Sequence, residues 1–195
     1  MKTVWEKLDK DGVKAVMDFN EEYRQFLTKS KTERTFVTNT EAFALENGFK
    51  SFDSFQELKA GDRVYVVNRK KNIMMLVVGE EPMNKGVNVL GAHIDSPRMD
   101  LKQKPLYEKD GIAFFDTHYY GGIKKYQWVA RPLALVGVVA KKDGTVVDIN
   151  IGDKPGDPVV GVSDLLIHLA QKQLQKTGAT VIEGEKLDLT VASRP

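Results

Sequence analysis

The chain of 195 residues contains no cysteine and only three histidines. The first absence removes disulfides, thiolate metal sites and cysteine nucleophiles together, and it suits a cytoplasmic protein. Any metal must then be held by His, Asp and Glu, and the imidazole donors reduce to His93, His118 and His168. An excess of one charge is also missing: 29 basic and 27 acidic residues, mixed along the chain, leave a net +2. That excludes the basic footprint of a nucleic-acid binder and a polybasic membrane patch. No apolar run approaches the ~20 residues of a membrane-spanning helix. Residues 1–10 alternate charges without an apolar core, unlike a secretory signal. No phosphate-binding Gly-x-x-x-x-Gly-Lys-Ser/Thr, no Gly-x-Ser-x-Gly elbow and no His-Glu-x-x-His occurs. Internal repeats and low-complexity segments are absent as well.

What is present reads as α/β. Residues 4–29 carry Val4, Leu8, Val13, Val16, Tyr23, Phe26 and Leu27 at steps of roughly three and four. This predicts an amphipathic helix that Gly12 could bend. Ser30-Lys31-Thr32-Glu33 has the form of a capping box, so a second helix is expected there, stopping at Asn47-Gly48. Residues 63–68 and 73–78 are β-rich runs split by Arg69-Lys70-Lys71-Asn72, which predicts a hairpin. Residues 87–94 form a continuous apolar run suited to a strand inside a covered sheet. After Pro97 short apolar runs alternate with turns: 99–102, 111–115, then 133–139 and 146–151 around Asp143-Gly144, a strong hairpin signal. This texture predicts a small barrel or sandwich. A helix is expected over 163–176, with Ser163 as N-cap, and a last strand over 187–192. The expected domains are therefore residues 1–98 and 99–195.

Chemistry concentrates in Asn88-Val-Leu-Gly-Ala-His93-Ile-Asp95-Ser-Pro-Arg98. A histidine two residues before an aspartate can form one arm of a metal site, with the carboxylate orienting the imidazole. The plain alternative is a strand-end histidine satisfied by its neighbour. His168 sits at the edge of an apolar helical face, where packing or an interface is the simpler reading. His118 lies in an aromatic, glycine-rich stretch and reads as a surface or interface loop. Glu80-Glu81 precedes Pro82 in a loop and reads as solvated.

The wording of several segments goes beyond spacing. Leu90-Gly-Ala-His93-Ile-Asp95-Ser-Pro-Arg98 with Asp100-Leu-Lys102 resembles the aspartyl aminopeptidase and aminopeptidase I family of dinuclear zinc exopeptidases. Tyr23-Arg-Gln-Phe-Leu27, Glu46-Asn-Gly-Phe49, Tyr119-Tyr-Gly-Gly122 through Trp128 and Arg131-Pro-Leu133, and Leu165-Leu-Ile-His168-Leu169 agree in order. The resemblance implies a zinc-exopeptidase-like α/β catalytic domain with an inserted β-rich, barrel-like dimerisation domain. It implies two Zn2+ per complete site, with Mn2+ or Co2+ as substitutes, and a peptide substrate. On this basis His93 is a metal ligand and Asp95 supports it. His168 is lent to a neighbouring subunit, where it steadies the tetrahedral intermediate. A homo-oligomer is implied through residues 99–195, with dimers building a dodecamer. Family members run more than twice as long, and the bridging aspartate, the glutamate pair and the remaining ligands lie in their later part. The expectation is thus an amino-terminal portion, inactive alone, of a metallo-aminopeptidase. The alternative is a non-catalytic oligomerisation or partner-binding fragment.

Overall fold

The computed structural model describes residues 2–193. The chain divides into two compact units, Met1–Asp95 and Ser96–Pro195. No helix among the described residues is long and apolar enough to cross a membrane.

The first unit opens with helix α1, Lys10–Lys29, and helix α2, Glu33–Glu46. The start of α1 is later than the periodicity implies, because Asp9 accepts from the Gly12 amide at 2.8 Å and caps the helix there. Gly12 falls in the first turn and does not interrupt it. The α2 cap also differs from expectation. Thr32, not Ser30, is the N-cap, and Thr35 closes a reciprocal box with it. Ser30 instead accepts from Asn39 Nδ2 at 3.0 Å and is buried. Phe26 and Phe36 meet edge-to-face at 5.1 Å and join the two helices. Helix α2 ends at Asn47, whose carbonyl accepts from Arg63.

A small sheet follows in the order β1-β2-β3, from Lys50–Ser51, Arg63–Asn68 and Asn72–Val77. The β2–β3 hairpin turns through Arg69 and Lys70, both at positive φ, as a I′-type turn demands. Val64 and Tyr65 of β2 and Val37 and Ala44 of α2 are the buried apolar residues of this unit among the described residues. The expected strand over 87–94 is not formed. Residues 87–97 carry no regular structure, Val89 is 80% exposed and Leu90 101%. A strand needs a neighbour to take its amides and carbonyls, and none of the described strands pairs with this segment.

The second unit is mostly strands. β4, Arg98–Lys109, and β5, Ile112–Tyr120, form a long hairpin, and β8, Leu189–Ala192, adds to β5. β6, Leu135–Ala140, and β7, Val146–Ile151, form a second hairpin. Its turn is the expected Asp143-Gly144, with Gly144 at φ +86 and Asp143 accepting from the Thr145 amide. That hydrogen bond holds the Asp143 carboxyl below its usual range. These sheets do not close into a barrel among the described residues. The core gathers Val160, Val162, Ile182, Leu187 and Leu189, with Trp128 packed against it.

The helix expected over 163–176 is also absent. Overlapping turns take its place, with Leu169 N donating to Leu166 O and Ala170 N to Ile167 O. The Asp164 carboxylate bonds the Leu165 amide next to it at 2.8 Å, a local contact that competes with helix initiation. Ala170 alone of this stretch is buried, while Leu165, Leu166, Ile167 and Leu169 are exposed. The apolar stripe that suggested a helix therefore has no surface of its own unit to bury against, and helices draw most of their stability from such burial.

Candidate functional site

The first candidate lies on the irregular segment after residue 86. His93 and Asp95 meet through Nδ1 and Oδ1 at 3.2 Å. The two-residue spacing lets side chains of an extended chain share one side, which permits this contact. A carboxylate can only accept, so Nδ1 carries the proton in the neutral ring. The Nε2 lone pair then remains for a ligand, the arrangement common to metal-binding histidines backed by a carboxylate. His93 is 87% exposed and Asp95 41%. The donor set suits one zinc ligand. A catalytic zinc takes about three from the protein, and no cluster of three His, Asp or Glu forms among the described residues.

The chain after Asp95 is firmly held within its own unit. Arg98 donates through Nε to Asp100 at 2.7 Å and lies 4.2 Å over the Tyr120 ring. Gly121, at φ +79, closes against Pro97. These contacts tie the start of β4 to the end of β5.

His118 is exposed on β5, opposite Asp100 in register, and stacks on Tyr119. It sits in a strand rather than in the expected loop, and no group of three or more His, Asp or Glu forms around it among the described residues. His168 stands in the middle of the overlapping turns over 166–170, exposed beside Leu166, Ile167 and Leu169. It belongs to the second unit and His93 to the first.

Two polar ties of the second unit were not foreseen from the sequence. Lys102 bridges Asp116 at 2.9 Å and Glu185 at 2.8 Å, and the two carboxylates hold its ammonium above the usual lysine range. The Tyr107 hydroxyl donates to Asp188 at 2.8 Å, and burial, with that carboxylate beside it, pushes the phenol up to about 12. Both tie β4 to residues some 80 positions later, so no local signal marks them. The alternation over residues 99–102 at the start of β4 does place Lys102 with Asp100 on one face. A cavity of about 260 Å3 lies nearby in sequence terms, lined by Tyr126, Val129, Asp164, Ala170, Leu174 and Ile182.

Comparison with known proteins sets these residues in context. Residues 26–191 match the family model described as aminopeptidase I zinc metalloprotease (M18). A probable M18 family aminopeptidase 1 from Clostridium acetobutylicum is 48% identical over 198 residues, covering 100% of this chain and 43% of the relative. The crystal structure of an M18 aminopeptidase from Thermotoga maritima superposes with a TM-score of 0.91 at 42% identity, covering 100% of this chain and 42% of that one. Aminopeptidase I from Borrelia burgdorferi gives 0.86 at 34% identity, with 100% and 43% covered. The chain thus spans less than half the length of these relatives. On sequence and on fold, it belongs to the M18 family of aminopeptidase I zinc metalloproteases.

Proposed function

We propose that this sequence is the amino-terminal portion of a metallo-aminopeptidase that releases amino-terminal residues from peptides. The observation that carries the reading is the His93–Asp95 contact, which leaves one imidazole nitrogen for a metal within the chain of a zinc metalloprotease family. Bound zinc supplies a Lewis acid and a water acidic enough to attack a peptide carbonyl near neutral pH. In this reading His93 ligates one of two ions and Asp95 fixes its tautomer and orientation. Mn2+ and Co2+ are the expected substitutes. His168, on its exposed loop, serves the active site of a neighbouring copy by donating to the developing oxyanion. The exposed Leu166, Ile167 and Leu169 beside it suit a contact between copies. Residues 99–195 are then part of the inserted, barrel-like dimerisation domain of a homo-oligomer that works in the cytoplasm.

No group of three or more His, Asp or Glu that could hold a metal forms among the described residues, and the 195-residue chain alone is expected to be inactive. That same observation supports the second reading, in which this polypeptide serves only in oligomerisation or partner binding. The test is metal content and turnover of the full-length enzyme carrying His93→Ala. Loss of bound zinc together with activity supports the assignment. Unchanged zinc content and rate remove His93 from the site. Peptide hydrolysis by the purified 195-residue chain with added Zn2+, Mn2+ or Co2+ would overturn the claim that it is incomplete.

A further inference from the structure

Building on the oxyanion role given to His168, we propose that Asp164 and Gln173 are positioning residues whose hydrogen bond closes the 164–173 loop and fixes the imidazole at its tip. Asp164 Oδ1 accepts from Gln173 Nε2 at 2.9 Å across nine residues, and from the Leu165 amide at 2.8 Å. One carboxylate oxygen thus holds both ends of the loop. His168 lies between them, at the centre of the turns Leu166–Leu169 and Ile167–Ala170. Little else fixes this stretch. Ala170 is its one buried residue, and Leu174 N donates to Ala170 O just beyond the tip. Asp164, Gln173, Ala170 and Leu174 border the cavity of about 260 Å3, so the stem of the loop borders open space on that side. With packing weak, a polar tie across the stem becomes the main constraint on the tip.

The consequence concerns rate rather than binding. A histidine that donates to an oxyanion must stand within hydrogen-bond reach of the position the oxyanion will occupy. Opening the loop leaves the histidine present but misplaced.

The test uses peptide turnover by the full-length enzyme in Asp164→Ala, His168→Ala and the double variant. Asp164→Ala is expected to lower kcat on the order of ten-fold with KM little changed, the pattern of a displaced transition-state contact. Added to His168→Ala, it should cause no further loss, because the group it positions is already gone. Additive losses would mean that Asp164 serves stability alone, and would overturn the proposal. A swap supplies the rescue. Gln173→Glu sets two carboxylates against each other and should slow the enzyme. Adding Asp164→Asn reverses donor and acceptor and should restore the rate, and failure to restore it counts against the tie.

The two levels of the reading fail differently. If His168→Ala leaves kcat unchanged, the oxyanion role is wrong. If His168→Ala slows the enzyme and Asp164→Ala does not, the oxyanion role stands and the positioning role falls. A readout independent of turnover is the backbone order parameters over 165–172 in the 195-residue chain. They should drop in Gln173→Ala, and unchanged values would show that the tie does not hold the loop.

Discussion

Replacing Thr117 by valine keeps its shape and removes its hydroxyl. Thr117 is 1% exposed in the middle of β5, and its Oγ1 donates to the Leu187 carbonyl at 2.6 Å. Leu187 is itself 0% exposed in the core of the second unit. The substitution takes a donor from a buried carbonyl and offers nothing in return. Leaving such a group without its partner costs about 1–3 kcal/mol. Thr117→Ser keeps the donor and loses one methyl, a smaller change of roughly 1 kcal/mol. The order of stability should therefore be wild type, then Ser, then Val. Urea unfolding of the 195-residue chain measures it. Trp128 packs against the core of this unit, whereas Trp5 is 58% exposed, so tryptophan fluorescence reports mainly on the right region. A lower midpoint at unchanged slope signals lost stability without a change of denatured state. For a domain of ~100 residues the loss from Val corresponds to roughly 4–8 °C in Tm per kcal/mol. A valine variant as stable as wild type, with serine the weaker of the two, would refute the reasoning and assign Thr117 to packing.

Three further outcomes follow from the same structure. Leu187→Ala should destabilise the second unit by about 2–5 kcal/mol, read in the same urea assay, because it empties a fully buried site. Tyr107 binds its proton more tightly when folded, so the stability it contributes is complete below about pH 10 and is lost as pH rises toward 12. Tyr107→Phe should flatten that alkaline slope, and an unchanged slope would place the titrating group elsewhere. Glu183 has the opposite sign: Lys176 and Lys186 hold its carboxyl down to about 2, so its contribution is present above about pH 4.5 and fades as pH falls toward 2. Glu183→Gln should weaken the acid dependence at low salt and matter little at high salt, since these charges are exposed.

Local rules were readable where the signal was local. Asp143-Gly144 specified its hairpin because the turn chemistry is contained in two residues, and Asn47-Gly48 ended α2 for the same reason. Capping was legible only in kind. Ser30 and Thr32 are both good caps, and Asn39, nine residues on, takes Ser30 for another bond. The segments 87–94 and 163–176 were misjudged because their apolar patterns report a surface to be covered, not the partner that covers it. The pattern of residues 165–169 is that of an amphipathic helix, yet the chain turns there and leaves it exposed. The site divides in the same way. A His-x-Asp pair states its own contact in the sequence, and the structure shows that contact at 3.2 Å. The links from Lys102 to Glu185 and from Tyr107 to Asp188 depend on the fold of the whole second unit, and nothing local announces them.

The open segment before His93 has a consequence for the behaviour of the chain in concentrated solution. Val87-Asn-Val-Leu-Gly-Ala92 carries no charge and no proline, and Val89 and Leu90 are exposed. A chain that offers such a run outside any ladder presents a template onto which a second extended segment can zip. Turbidity of the 195-residue chain should then rise steeply with concentration. A lysine in place of Leu90 should suppress it by placing a charge in the middle of the template. The run of residues that leads to His93 would then also set the solubility of this polypeptide.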